Sequence, residues 1–244
     1  PGIPSPSLRL SASTSIPPNM IPIRHYSIVV GLLAAGASAQ AITPLSQGHV
    51  DVGIGYEDGA FDLHVHDEQT DTEYVPADAL LVVSSLALQI SPGGDYSFLG
   101  RAGSRAWVLP ATENPELLFL GIGAEELVPG EWTGDIEFSL KSVSGPGNFA
   151  LWDTDPFGRP VVRMDSTDSI GPEDRTAVIP GGHSHRNWGF SEVGNYTLTF
   201  EASGVNLVDG PQVSGPVAYS FQVVPEPGTW VLGALGLVAL ALGL

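Results

Sequence analysis

The chain has 244 residues, a formal charge of −18 from 27 acidic and 9 basic side chains, and no cysteine. That charge excludes nucleic acid as a partner, which needs a Lys/Arg surface to displace phosphate counterions. The missing thiols exclude disulfides, thiolate zinc centres and cysteine nucleophiles.

At 43% hydrophobic residues the sequence is that of a folded protein. Its acidity suits a well-solvated exported protein or one that holds divalent cations. Residues 1–19 are rich in Pro and Ser, precede the first methionine and read as an upstream extension without a fold. Residues 20–41 read as a secretory signal peptide. Arg24 and His25 form a modest basic start, and Ile28 to Ala35 are apolar. The small-x-small cleavage site is Ala37-Ser38-Ala39 or Ala39-Gln40-Ala41. The alternative is an N-terminal membrane anchor, for which the apolar part is short against the ~20 residues of a spanning helix.

The folded domain is expected over 42–224, and its most informative stretch is His49 to Glu68, HVDVGIGYEDGAFDLHVHDE. Asp58-Gly59 is a strong two-residue hairpin signal, because both residues tolerate the positive φ of a type I′ turn. That loop sets the register. Tyr56 pairs with Phe61, Ile54 with Leu63 and Val52 with Val65 on one apolar face. Asp51 pairs with His66 and Gly53 with His64 on the other, together with His49 and Asp62.

Further on, Ala79 to Ile90 is an apolar run that suits a helix by length or a buried strand by its valines and the Pro92-Gly93-Gly94 stop. Strands are predicted at Arg105–Pro110, Leu117–Ile122, Trp132–Val143, Asn148–Asp153, Asn195–Ser203 and Val217–Val224, whereas Thr154 to Gly182 reads as a long loop. Seven or more short strands with almost no amphipathic helix predict an all-β, antiparallel sandwich or jelly roll. Residues 225–244 are different: Pro225-Glu226-Pro227 leads into the uncharged apolar run Thr229 to Leu244. That run reads as a membrane segment, with a final core strand or buried helix as the alternative.

Five of the six histidines fall into His49, His64-Val65-His66 and His183-Ser184-His185. Two His in an HxH strand project to the same side about 7 Å apart at the backbone. Zn²⁺, Mn²⁺, Fe²⁺, Ni²⁺ and Cu²⁺ all accept imidazole ligands. The candidate metal ligands are therefore His64 and His66 from the hairpin and His183 and His185 from the later loop, with His49 or Asp51 completing the shell. The opposing reading is surface histidines on solvated strand faces. Glu57, Asp58, Asp67, Glu68 and Asp71, or Asp153, Asp155, Asp165 and Asp168, are candidates for Ca²⁺, though none has EF-hand spacing, and a solvated acidic surface is the simpler account of each. Trp107, Trp132, Trp152 and Trp188 could build a carbohydrate platform or fill the core. No GxSxG, HExxH, P-loop or GxGxxG motif occurs in a fitting context, so enzyme activity has little positive support.

Two resemblances follow from these motifs. VPEPGTW and the apolar run after it resemble the PEP-CTERM sorting signal of Gram-negative bacteria. That resemblance implies recognition of Pro225, Glu226 and Pro227 by an exosortase, and transient membrane anchoring before release to the cell surface or extracellular matrix. The body resembles the choice-of-anchor M domain, through GHVDVGIGYEDGAFDLHVHDE, NPELLFLGIGAEEL, SGPGNFALWD and GGHSHRNWGFSEVGNYTLTFEASG. That family is similar to actinobacterial surface-anchored repeat domains associated with a metal-type ABC transporter system. It implies a surface-displayed β domain in which His49, His64, His66, His183 and His185 are the positions to carry over as ligands, with no catalytic residue. The expected function is divalent transition-metal binding, Zn, Mn or Cu, at the cell surface. The competing expectations are a metal-free adhesive matrix module, with extracellular polysaccharide as a partner, and a metal-dependent hydrolase or oxidase acting on extracellular polymer.

Overall fold

The computed structural model describes residue 2 and residues 41–226, and seventeen strands lie in the latter. In chain order they are Thr43–Leu45 (β1), Gly48–Glu57 (β2), Ala60–Asp67 (β3), Thr72–Tyr74 (β4), Ala79–Val83 (β5), Leu88–Ile90 (β6), Arg105–Leu109 (β7), Leu118–Gly123 (β8) and Ile136–Ser144 (β9). Then come Phe149–Thr154 (β10), Pro160–Asp165 (β11), Arg175–Val178 (β12), His183–His185 (β13), Asn187–Phe190 (β14), Gly194–Asn206 (β15), Gly210–Val213 (β16) and Val217–Val223 (β17). The signal peptide and the C-terminal apolar run lie outside the described residues. Among the described residues, no helix is long and apolar enough to cross a membrane.

The strands form three sheets. The first runs β1-β5-β17-β15-β9-β12 with β16 beside β15, the second β11-β10-β14-β7-β6, and the third β13-β8-β2-β3-β4. The fold is all-β but not purely antiparallel, which corrects the sequence reading. β1 with β5, β5 with β17, and β2 with β8 are parallel pairs. A parallel pair needs a long crossover, and for β2 and β8 the whole of β3 to β7 supplies it. Short-range alternation carries no record of that pairing.

The hairpin has the register that its turn dictates. Asp51 faces His66, Val52 faces Val65 and Gly53 faces His64. Asp58 and Gly59 both have positive φ, 50° and 80°. Val50, Val52 and Ile54 therefore point into the core, as do Leu118, Leu120 and Ile122 of β8. They join Phe138, Phe200 and Phe221 of the first sheet and Phe149, Trp188 and Phe190 of the second in one apolar cluster. Each such side chain contributes about 1.5–3 kcal/mol on full burial.

Two further readings are corrected. Thr154 to Gly182 is not one loop, because β11 and β12 lie inside it. Both are end strands of their sheets, and β11 begins on a proline and leaves Val161 and Val162 exposed, so no alternating apolar pattern marked it. Ala79 to Ile90 is neither one helix nor one strand: β5 and β6 flank a 3-10 turn at Ser85–Ala87, and burial in β5 alternates although every residue is apolar. Trp107, Trp132, Trp152 and Trp188 are all buried, so they offer no platform for sugars.

Candidate metal centre

The third sheet turns one face to the core and the other outward. Period two puts His49, Asp51, Gly53 and Gly55 of β2 on the outer face, with Asp62, His64 and His66 of β3 and Phe119, Gly121 and Gly123 of β8. β13 is the outermost strand beyond β8. Its His185 pairs with Gly121 and its His183 with Gly123. At the other edge Glu73 of β4 pairs with His66. One row across the sheet thus reads His185, Gly121, Asp51, His66, Glu73, and the next reads His183, Gly123, Gly53, His64.

The glycines are what let these groups meet. A Cβ on Gly121 would fall on Asp51 Oδ1, and one on Gly123 would lie 3.0 Å from Asp51 Oδ2. A Cβ on Gly53 would fall on the His64 ring, and one on Gly55 would lie 2.6 Å from Glu126 Oε2. Glycine inside a strand marks a close approach, and here the approaching groups are themselves candidate ligands. They lie flat across their neighbours instead of standing clear of the sheet.

His49, His183 and His185 converge. One nitrogen from each lies within 4.8 Å of the others, and a second such group joins Asp51, Glu125 and His183. The rings of His49 and His185 are 4.8 Å apart, and those of His183 and His185 are 5.3 Å apart. Asp51 lies beneath them at 1% exposure, its Oδ1 3.3 Å from His49 Nε2. Neither Asp51 oxygen has a hydrogen-bond partner, nor does either ring nitrogen of His185 meet one in line. A buried polar group left so costs about 1–3 kcal/mol.

The environment shifts these groups in different directions. Burial raises the Asp51 carboxyl above the usual range, against the pull of His49 and His183. Burial lowers His185 to about 4, helped by the charge of His49, so its ring is neutral with a lone pair to give. Its other side stacks on Phe119, with centroids 3.6 Å apart and planes 7° from parallel. His183 is raised, chiefly by Glu125, whose Oε1 lies 2.6 Å from His183 Nδ1. A carboxylate on one imidazole nitrogen orients the other toward a metal.

Glu125 and Glu126 sit on the loop after β8. That loop is tied to the start of β13, where the Ala124 N–H donates to the Gly182 carbonyl at 2.8 Å and the Gly181 N–H to the Ala124 carbonyl at 2.8 Å. Sequence reasoning missed Glu73, Glu125 and Glu126 as site residues. The usable signal was the alternating glycine of FLGIG, on the same parity as VDVGIG, running straight into AEE.

His64 and His66 lie on the same face but outside the three-histidine group. His64 groups with Glu73 and Glu126. His66 is held by Glu68, 3.0 Å from its Nδ1, and by Asp71, 3.4 Å from its Nε2. An open cleft of about 310 Å³ adjoins Asp51, His64 and His66. Four of the other candidate acidic residues have local partners. Asp67 accepts from the Gln69 N–H and the Thr70 hydroxyl, Asp153 pairs with Arg163 and Arg186, and Asp155 pairs with Arg159. Asp165 accepts from the Thr167 N–H.

No family model and no curated protein matches this chain. Among solved structures, the ASH / PapD-like domain of human CEP192 (PapD-like domain 7) aligns at 13% identity over 38% of this chain and 66% of that one, with a TM-score of 0.18. The match thus spans just under two thirds of that chain, and a likeness of this size carries no argument.

Proposed function

We propose that this protein is an exported, surface-associated β-sandwich domain that binds a divalent transition metal, with His49, His183 and His185 as nitrogen ligands and Asp51 as the oxygen ligand. One observation carries the reading: three imidazoles converge over a buried carboxylate that has no hydrogen-bond partner. Three nitrogens and one oxygen suit Zn²⁺ first and Cu²⁺ next. A metal-free adhesive module would keep the Asp51 carboxyl buried with only the His49 ring, 3.3 Å away, beside it, which is a costly arrangement.

The sandwich reading is supported by sheets that share one apolar cluster. Export and sorting are supported by sequence alone, through the signal-peptide pattern and Pro225-Glu226-Pro227 before an apolar run. On that reading an exosortase processes the chain and the domain works at the cell surface or in the matrix, as the resemblance to choice-of-anchor M domains implies. Metal capture is then its task. The hydrolase or oxidase alternative draws support from the open cleft beside Asp51.

Calorimetric titration of the full chain with Zn²⁺, Cu²⁺ and Mn²⁺ tests the metal reading. Saturable Zn²⁺ uptake is expected, with one equivalent lost on His49→Ala plus His185→Ala. Uptake unchanged in that double variant would refute the assignment.

A further inference from the structure

We propose that the outer sheet face holds two cations, the second at a carboxylate-rich position made by His64, Glu73 and Glu126. The proposal rests on the metal-binding reading above and adds a position that shares no member with His49, His183 and His185.

His64 carries the argument. It is 3% exposed, and neither ring nitrogen has a hydrogen bond. Yet its Nε2 lies 2.9 Å from Glu126 Oε1, and its Nδ1 3.7 Å from Asp62 Oδ2. A 2.9 Å approach out of line with any N–H is not a shared proton. It is the spacing of two neighbouring ligands on one cation: donors at ~2.1 Å and at right angles stand about 3 Å apart. One oxygen of Glu73 completes the set, all three donor atoms lying within 4.8 Å of one another.

The fold builds this position separately. Gly53 and Gly55 leave the floor clear, the first for the His64 ring and the second for Glu126. Glu125 and Glu126 are consecutive but serve different places, Glu125 reaching His183 and Glu126 reaching His64. The cleft above is lined by carboxylates, among them Asp51, Glu68, Glu73 and Glu126, and admits a cation from solvent. One imidazole with two carboxylates is a harder donor set than three imidazoles, so Mn²⁺ or Fe²⁺ suits it better than Cu²⁺ does. The two positions therefore differ in the ion they prefer.

The test uses the full chain stripped of metal. Native mass spectrometry with Zn²⁺ is expected to show two equivalents per chain. Glu73→Gln plus Glu126→Gln is expected to leave one, and so is His49→Ala plus His185→Ala. Both glutamates are exposed, so the first pair tests ligation without disturbing the core. In electron paramagnetic resonance, Glu126→Gln is expected to weaken Mn²⁺ binding at least tenfold while His185→Ala leaves it unchanged. Gly55→Ala keeps every ligand and is expected to act like Glu126→Gln. A single Zn²⁺ equivalent in the wild type, with no effect of the glutamate variants, would overturn the second position and leave the first standing. Two equivalents persisting in the Glu73→Gln plus Glu126→Gln variant would overturn it too. No Zn²⁺ uptake at all would remove both.

Discussion

The ring of His64 occupies the space that a side chain on Gly53 would need. The two residues face each other across β2 and β3, and the ring lies down over its partner. Gly53→Ala is therefore an overpacking change beneath a candidate metal ligand. It is expected to cost about 1–3 kcal/mol of stability and to reduce Mn²⁺ affinity, read by chemical denaturation and titration. A variant with normal Mn²⁺ binding would show that His64 does not need that place.

Asp51 sets stability against function. Burial raises its carboxyl above the usual value, so the charged form costs more in the folded chain than in the unfolded one. That cost sets in as pH rises above 3.8, the value without burial. Asp51→Asn removes it. Without metal, the variant is expected to melt a few degrees higher than the wild type at neutral pH, by roughly 1 kcal/mol. With Zn²⁺ the order is expected to reverse, because the wild type alone gains an anionic ligand. Thermal scans with and without Zn²⁺ check both halves.

His185 makes the metal-free protein sensitive to acid. Its folded value of about 4 lies below the ordinary 6.5, so between those two pH values the unfolded chain binds more protons. Stability from this group is complete above pH 6.5 and falls as pH drops toward 4. His183 is shifted the other way by Glu125, so its contribution is present at low pH and is lost as pH rises through its raised value. His185→Gln is expected to flatten the slope between pH 6.5 and 4 without altering it above pH 7. Urea midpoints measured across that range provide the comparison, and an unchanged slope would count against burial of this ring.

Metal itself is expected to stabilise the fold by mass action. Zn²⁺ at a hundred times its dissociation constant adds about 2.7 kcal/mol if only the folded chain binds. For a domain of this size that is roughly 5–10 °C in melting temperature. A chelator should abolish the gain, and His183→Ala plus His185→Ala should remove the part due to the three-histidine position. A gain undiminished in the double variant would place that ion elsewhere.

The hairpin was legible in the sequence. Strand period and the left-handed tolerance of Asp58-Gly59 are local properties, and together they set which side chains of β2 and β3 face each other. That put His49, Asp51, His64 and His66 on one face before any coordinates. β11 was illegible because it begins on a proline and leaves Val161 and Val162 exposed, and β12 because four residues with only Thr176 and Val178 turned inward are too few to show a period.

What only the tertiary structure decided is which of those side chains meet. His183 and His185 reach His49 because β8 pairs in parallel with β2 on one side and antiparallel with β13 on the other. Parallel pairing is a long-range event that leaves no short-range mark on the chain. The same holds for Glu73, Glu125 and Glu126, which have no periodicity of their own and gain meaning only from the glycine floor and the imidazoles beside them. Residue types and their alternation determined a β domain with a histidine face; the order of strands across the sheet decided that the face divides into two sets of candidate ligands.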